Sequence, residues 1–210
     1  MKIIDLTHPL AEGMPVYPGT EPPEIKVATT IEQEGFEERL LTMFSHTGTH
    51  LDAPSHIMPS KNSLSDFHIS DFVGKGVLID VRGMDIITAD CILEYSEMLK
   101  TSDFVVLFSG WSDRWGRGDY FCDFPVLNVE AAELLAGYNL KGVCADMISV
   151  DPVDTQTYEI HKIFFEQNML IIENLTNLSQ LVGKDFIINN IPLNITGGDG
   201  SPIRAFAEIE

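Results

Sequence analysis

The chain has 210 residues, 44% of them hydrophobic, which is enough for one sizeable core and short for two independent domains. Its 32 acidic residues outweigh 13 basic ones, giving a formal net charge of −19. Such a surface repels phosphate backbones and anionic membranes and offers no basic stripe for a nucleic acid to follow. No apolar stretch approaches the length of a membrane span.

Taken in chain order, Met1–Leu6 reads as a first strand, with Asp5 too early for the apolar run of a signal peptide. Strand-like runs follow at Ile25–Ile31, Leu40–Phe44, Gly76–Val81, Phe104–Phe108, Gly142–Ala145, Met169–Ile172, Phe186–Asn189 and Ile203–Ile209. Several are continuous in apolar residues, as buried strands are. Between them, Thr88 is placed to cap a helix through Leu99, with Ile92, Leu93, Tyr95 and Met98 on one face. Asn128 is placed to cap a second through Ala136, and Asn174 to open a third, shorter one. No repeat or Gly/Ser linker interrupts the pattern, so a single domain over residues 1–210 is expected. The mixture predicts an α/β or α+β fold, a mixed β-sheet with flanking helices. Cys91, Cys122 and Cys144 are odd in number and lack C-x-x-C spacing, and they read as buried free thiols of a cytoplasmic protein.

The densest chemistry lies between Ser45 and Met58, where three of the six histidines and a carboxylate fall within eleven residues: His46, His50, Asp52 and His56. All four occupy even positions, so an extended segment projects them from one side. Thr47, Gly48, Thr49 and Pro54 argue against a continuous helix and place the motif on a strand end running into a loop. Imidazole nitrogen and carboxylate oxygen suit zinc, and manganese or iron would also accept them. Three of the four suffice for a site with an open position. The competing reading is a set of polar residues on a solvated strand edge.

This segment resembles the H-x-G-T-H-x-D-x-P-x-H signature of the cyclase family of metal-dependent hydrolases, which includes bacterial kynurenine formamidase and isatin hydrolase, and it matches that signature at every position. Asp5–Leu10 and Gly13–Gly19 resemble the family's amino-terminal segment, and Gly198–Arg204 its carboxy-terminal one. The resemblance implies a swivelling β/β/α fold, a homodimer or homotetramer, and one or two divalent ions, zinc or manganese.

From the residues alone, His161, on an amphipathic helix with Ile163 and Phe164, and Glu173, closing the apolar run from Met169, read as a further ligand pair or, at least as readily, as a surface histidine and a strand-end acid. The resemblance implies more: a downstream His and Glu twelve residues apart that bind a second metal bridged by the motif aspartate, roles that fall on His161, Glu173 and Asp52. His56 could be a fourth ligand, although a fourth protein ligand would tend to close the site. The family instead implies that it donates and accepts the proton. Tyr17 stands where the kynurenine formamidases carry a tryptophan against the aromatic substrate; it keeps a flat face and adds a hydroxyl. His8 either lines the site or is a hydrogen-bonded structural histidine, and His68 has no evident partner. Trp111 and Trp115 either wall a pocket or pack in the core, and Arg114 either holds a carboxylate or makes an ordinary ion pair. Gly197–Gly200 reads as a turn, with a substrate contact from Asp199 as the alternative.

The function these residues imply is hydrolysis of a small-molecule amide, an N-aryl formamide or a cyclic amide such as isatin, with a lactone or ester open to the same machinery. A non-catalytic metal-binding protein is the competing class, and it would not need His56. No H-E-x-x-H occurs, which disfavours a peptidase.

Overall fold

The computed structural model describes residues 1–209. Its strands are β1 (Lys2–Asp5), β2 (Glu24–Thr29), β3 (Glu38–Thr42), β4 (His50–Asp52), β5 (Val73–Asp80), β6 (Ile86–Ile87), β7 (Phe104–Phe108), β8 (Val126–Leu127), β9 (Gly142–Ala145), β10 (Leu170–Glu173), β11 (Phe186–Asn189), β12 (Gly200–Pro202) and β13 (Phe206–Ile209). The α-helices are α1 (Ile31–Glu34), α2 (Ala89–Leu93), α3 (Ser96–Leu99), α4 (Val129–Ala136) and α5 (Glu159–Glu166). Nine strands join in one mixed sheet, in the order β1-β13-β11-β5-β7-β9-β10-β4-β12. β5, β7, β9 and β10 run parallel at its centre, and antiparallel strands extend it on both sides.

The central strands are apolar throughout because both faces of the sheet are covered. Alternation splits them between two cores. Val105 and Leu107 of β7 join Ala131 and Leu135 of α4 and Phe164 and Phe165 of α5 on one side; Phe104, Val106 and Phe108 join Ile4, Leu6, Phe186 and Ile188 on the other. Full burial of each such side chain contributes roughly 1.5–3 kcal/mol. Two layers of packing therefore hold β10, and with it the edge pair β4 and β12, in a fixed register.

Most expected strands are present, and the departures have physical reasons. The run Ile203–Ile209 is two elements: Pro202 ends β12 at one edge of the sheet, and the chain crosses before Phe206 starts β13 near the other. The helix expected from Thr88 to Leu99 breaks into α2 and α3 at Glu94 and Tyr95, and the Thr88 side chain makes no cap. Asn128 does cap α4, accepting a hydrogen bond from the Ala131 amide at 3.0 Å. Asn174 opens no helix; it takes a left-handed backbone (φ 58°) that asparagine tolerates, and the next turn is a 3-10 helix at Leu178–Leu181. All three cysteines are free, but only Cys144 is buried and Cys122 is exposed. Among the described residues no helix is long and apolar enough to cross a membrane.

Hairpin β2–β3 stands apart from the main sheet. Every residue of β3 is exposed, including Leu40 (57%) and Leu41 (51%), and Val27, Phe36 and Phe44 are about half exposed.

Candidate metal centre and active site

The site is written into strand pairing. In the antiparallel register of β10 and β4, Glu173 lies opposite His50, so the two side chains share a face. Asp52, two residues beyond His50, shares it too. His161 comes from α5, which packs beside β10. The parity argument holds only for His50 and Asp52. His46 sits in the turn before β4, which Gly48 makes at φ +68°, and His56 ends the 3-10 helix Pro54–His56 after it. Turns, rather than one extended segment, bring these two rings back to the site.

The carboxylate of Asp52 faces both ways. Its Oδ1 is 2.6 Å from His46 Nδ1 and 3.1 Å from His50 Nε2, while its Oδ2 is 3.7 Å from His161 Nε2. Glu173 closes the second group, with Oε1 3.7 Å from His161 Nε2 and Oε2 3.5 Å from His50 Nε2. His46, His50 and Asp52 thus form one cluster of donor atoms mutually within 4.8 Å, Asp52, His161 and Glu173 form another, and His46 also groups with His56 and Asp199 nearer the surface.

Neighbouring groups fix which nitrogen faces inward. His50 Nδ1 donates to the Gly48 carbonyl at 2.8 Å, leaving Nε2 for the cluster. Asn174 supports the same carbonyl: its Nδ2 donates to it at 2.9 Å, and its Oδ1 accepts from the Tyr120 hydroxyl at 2.6 Å. His161 Nδ1 pairs with Asp151 Oδ2 at 2.6 Å, and the Asp151 carboxylate also accepts the Ile160 and His161 amides at the start of α5. This is the outer-shell support metal-binding imidazoles characteristically carry. Sequence reasoning missed Asp151, whose only signal was an acid in the loop before a helix.

Buried carboxylates and imidazoles perturb one another strongly here. Burial and the adjacent Asp52 push the Glu173 carboxyl up to about 7, and its Oε1 is buried with no hydrogen-bond partner. Burial opposes protonation of His46 and His161, yet the carboxylates around them outweigh it and hold both at about 10. An orphaned buried oxygen, two clusters sharing a carboxylate and an all nitrogen-and-oxygen donor set fit a divalent ion such as zinc or manganese. His56 differs: burial lowers its pKa from the ordinary imidazole value.

A cavity of about 360 Å³ opens over these groups, with Tyr17, Phe44, Ile148 and Tyr158 among its walls and His56 on its lining. Tyr17 is held by its hydroxyl, which donates to the Val153 carbonyl at 2.9 Å. No lysine or arginine is among the lining residues. His8 does not line the cavity; its buried ring stacks on Trp115 at 4.0 Å, its Nε2 has no partner, and burial lowers its pKa to about 4. It is therefore structural, although its ring is stacked rather than hydrogen-bonded. Trp111 packs in the core, with the Arg114 guanidinium 4.0 Å over its ring and paired to Asp119. His68 caps the 3-10 helix Ile69–Phe72 through the Ser70 amide. Asp199, about half exposed, reaches back to His46: its Oδ2 lies 2.9 Å from His46 Nε2.

The family profile described as "Putative cyclase" matches residues 4–152. A kynurenine formamidase from Bacillus cytotoxicus is 31% identical over 210 aligned residues, covering 96% of this chain and 95% of its own. Among solved structures, isatin hydrolase A from Ralstonia solanacearum superposes with a TM-score of 0.88 at 26% identity, covering 100% of this chain and 92% of that one. A predicted metal-dependent hydrolase from Bacillus stearothermophilus gives 0.82 at 28% identity, covering 98% and 97%. The α+β fold with its mixed nine-stranded sheet matches these structures. The chain belongs to the cyclase family and is one of its metal-dependent hydrolases.

Proposed function

We propose that the protein hydrolyses the amide bond of a small planar aryl substrate, an N-aryl formamide first of all. The observation that carries this reading is the placement of His56 on the lining of a cavity whose floor holds two donor clusters joined through Asp52. In this reading His46, His50 and Asp52 hold one divalent ion, zinc or manganese, and Asp52, His161 and Glu173 hold a second. A bound ion there supplies Lewis acidity, making water acidic enough to ionise near neutral pH and polarising a carbonyl. His56 takes the proton from the attacking water and returns it to the leaving nitrogen, which departs as a neutral amine. Tyr17 and Phe44 offer flat faces to an aryl ring.

A cyclic amide such as isatin is the second reading, favoured by the absence of a lysine or arginine among the cavity lining. N-formylkynurenine carries an amino-acid carboxylate that this wall has no cation to meet, whereas formanilide and isatin carry no such charge. The exposed hairpin β2–β3, which leads into the cavity wall at Phe44, supports assembly into a homodimer or homotetramer. The free thiols fit a cytoplasmic setting.

The test is metal analysis of protein purified without chelator, followed by kcat and KM for N-formylkynurenine, formanilide and isatin. Turnover of an uncharged aryl amide with about one or two ions per chain supports the proposal. A metal-loaded protein inert toward the whole panel overturns it.

A further inference from the structure

We propose that Asp199 is the positioning residue for the acid–base histidine: its carboxylate orients His56 for proton transfer and, through the same oxygen, ties that ring to the metal ligand His46. The inference rests on the hydrolase reading above and adds a residue to it. Asp199 Oδ2 lies 2.9 Å from His46 Nε2 and 3.5 Å from His56 Nδ1. The first is a hydrogen bond. The second is an ion-pair distance of the kind that tightens when substrate completes a site. The two ring centroids lie 3.9 Å apart with the rings tilted at 34°, so one carboxylate addresses both.

The surrounding backbone is built to hold that carboxylate in place. The Ala53 amide donates to the Asp199 carbonyl at 2.9 Å, and the Leu64 amide donates to the Gly198 carbonyl at 2.8 Å. The Gly197 amide donates to Ser65 Oγ at 3.0 Å. Ala53 and Leu64 flank the turn that carries His56, and the His56 amide itself donates to the Ala53 carbonyl at 2.9 Å. Loop 197–200 and the His56 turn thus form one hydrogen-bonded block. Gly200 has room for no side chain, since a Cβ there would come within 2.5 Å of His46 Cε1. The turn at 197–200 therefore serves to deliver Asp199, not merely to reverse the chain.

The chemistry follows from the two imidazole nitrogens. A carboxylate at Nδ1 keeps the proton on that atom and leaves Nε2 with a lone pair, the tautomer a base needs. When Nε2 takes the proton of water, the ring becomes a cation whose charge Asp199 offsets while remaining ionised. Nε2 then passes that proton to the leaving nitrogen, and the neutral ring is restored. His46 uses the same oxygen through Nε2, and its Nδ1 faces Asp52, the side from which it would hold an ion.

The experiment is a double-mutant cycle with Asp199→Asn and His56→Ala on metal-loaded protein, using formanilide and p-nitrophenyl formate, an ester whose leaving group needs no proton. It is joined by nitrogen NMR of the histidine rings. Asp199→Asn should lower kcat on formanilide on the order of 10–100-fold with KM nearly unchanged. Its effect on the ester should be several-fold smaller, and it should add no further loss in the His56→Ala background. His56 should move from the Nδ1–H toward the Nε2–H tautomer, with unaltered melting showing that the variant folds. Equal losses in both backgrounds, or an unchanged His56 tautomer, would overturn the inference. If wild type is inert on both substrates, the aryl-formamide reading falls, and the ring spectra alone decide the contact.

Discussion

The edge of the sheet at β4 and β10 and the hairpin β2–β3 break the ordinary rule of burial in opposite senses. At the edge, Asp52 and Glu173 are almost wholly buried beside His50 and His161, although isolated charges are costly away from water. In the hairpin, Val27, Leu40 and Leu41 stand in solvent although apolar side chains gain by leaving it. A two-stranded ribbon open on both faces is marginal by itself. The two exceptions call for complements opposite in kind: a cation at the edge, as the proposed site requires, and an apolar surface at the hairpin, as the proposed assembly requires. The difference lies in how the missing part is specified. Five side chains, set by register and by hydrogen bonds behind them, define a point at the edge, whereas the hairpin defines only an area.

The largest expected effect breaks the edge outright. Asp52→Ala removes the carboxylate common to both clusters, so bound metal and activity should vanish together; full metal content by elemental analysis of the folded variant would refute the shared-ligand arrangement. Next comes His56→Ala, which should retain most of its metal while kcat drops on the order of 10²–10⁴-fold. Loss of metal would make His56 a ligand, and unchanged kcat would make it a bystander.

A smaller effect is expected one shell further out. Asp151→Asn should weaken binding of the second ion on the order of 10–100-fold, read by competition with a chromophoric chelator, while the first ion binds as before. Equal weakening of both ions would show that Asp151 serves the fold of α5 rather than His161. The mildest change is at the hairpin, where Leu40→Glu with Leu41→Glu should lower the sedimenting mass and leave the melting of the core within about 0.5 kcal/mol of wild type. A variant that sediments like wild type would mean that this surface covers nothing.

Legibility in the sequence followed the range of the interactions. β7 and β9 were readable to the residue because continuous apolar runs report burial on both faces, and α4 because its cap is local. His50 and Asp52 were readable because a strand repeats every two residues. His161 and Glu173 were ambiguous as isolated residues, since their meaning comes from a pairing across more than a hundred residues of chain. Asp151 acts ten residues from its partner, across a loop with no periodicity. Asn174 misled because asparagine favours both helix caps and the left-handed conformation, and only the Gly48 carbonyl and the Tyr120 hydroxyl select the latter. The break between β12 and β13 was hidden because alternation survives it, although the two halves serve opposite regions of the sheet.

The register that sets Glu173 opposite His50 also bears on the order in which a nascent chain can acquire its metal. His46, His50 and Asp52 leave the ribosome early, His161 and Glu173 more than a hundred residues later, and Asp199 later still. On the proposed ligand assignment, an ion captured at the first cluster would meet a half-built cage that solvent still reaches. Only when β10 has slotted between β9 and β4 does the second cluster exist. A slip of one residue in that pairing would turn Glu173 to the opposite face of the sheet. Ion retention would then act as an inspection of the finished strand order, and a chain that misaligned its edge would give its cargo back to the cell.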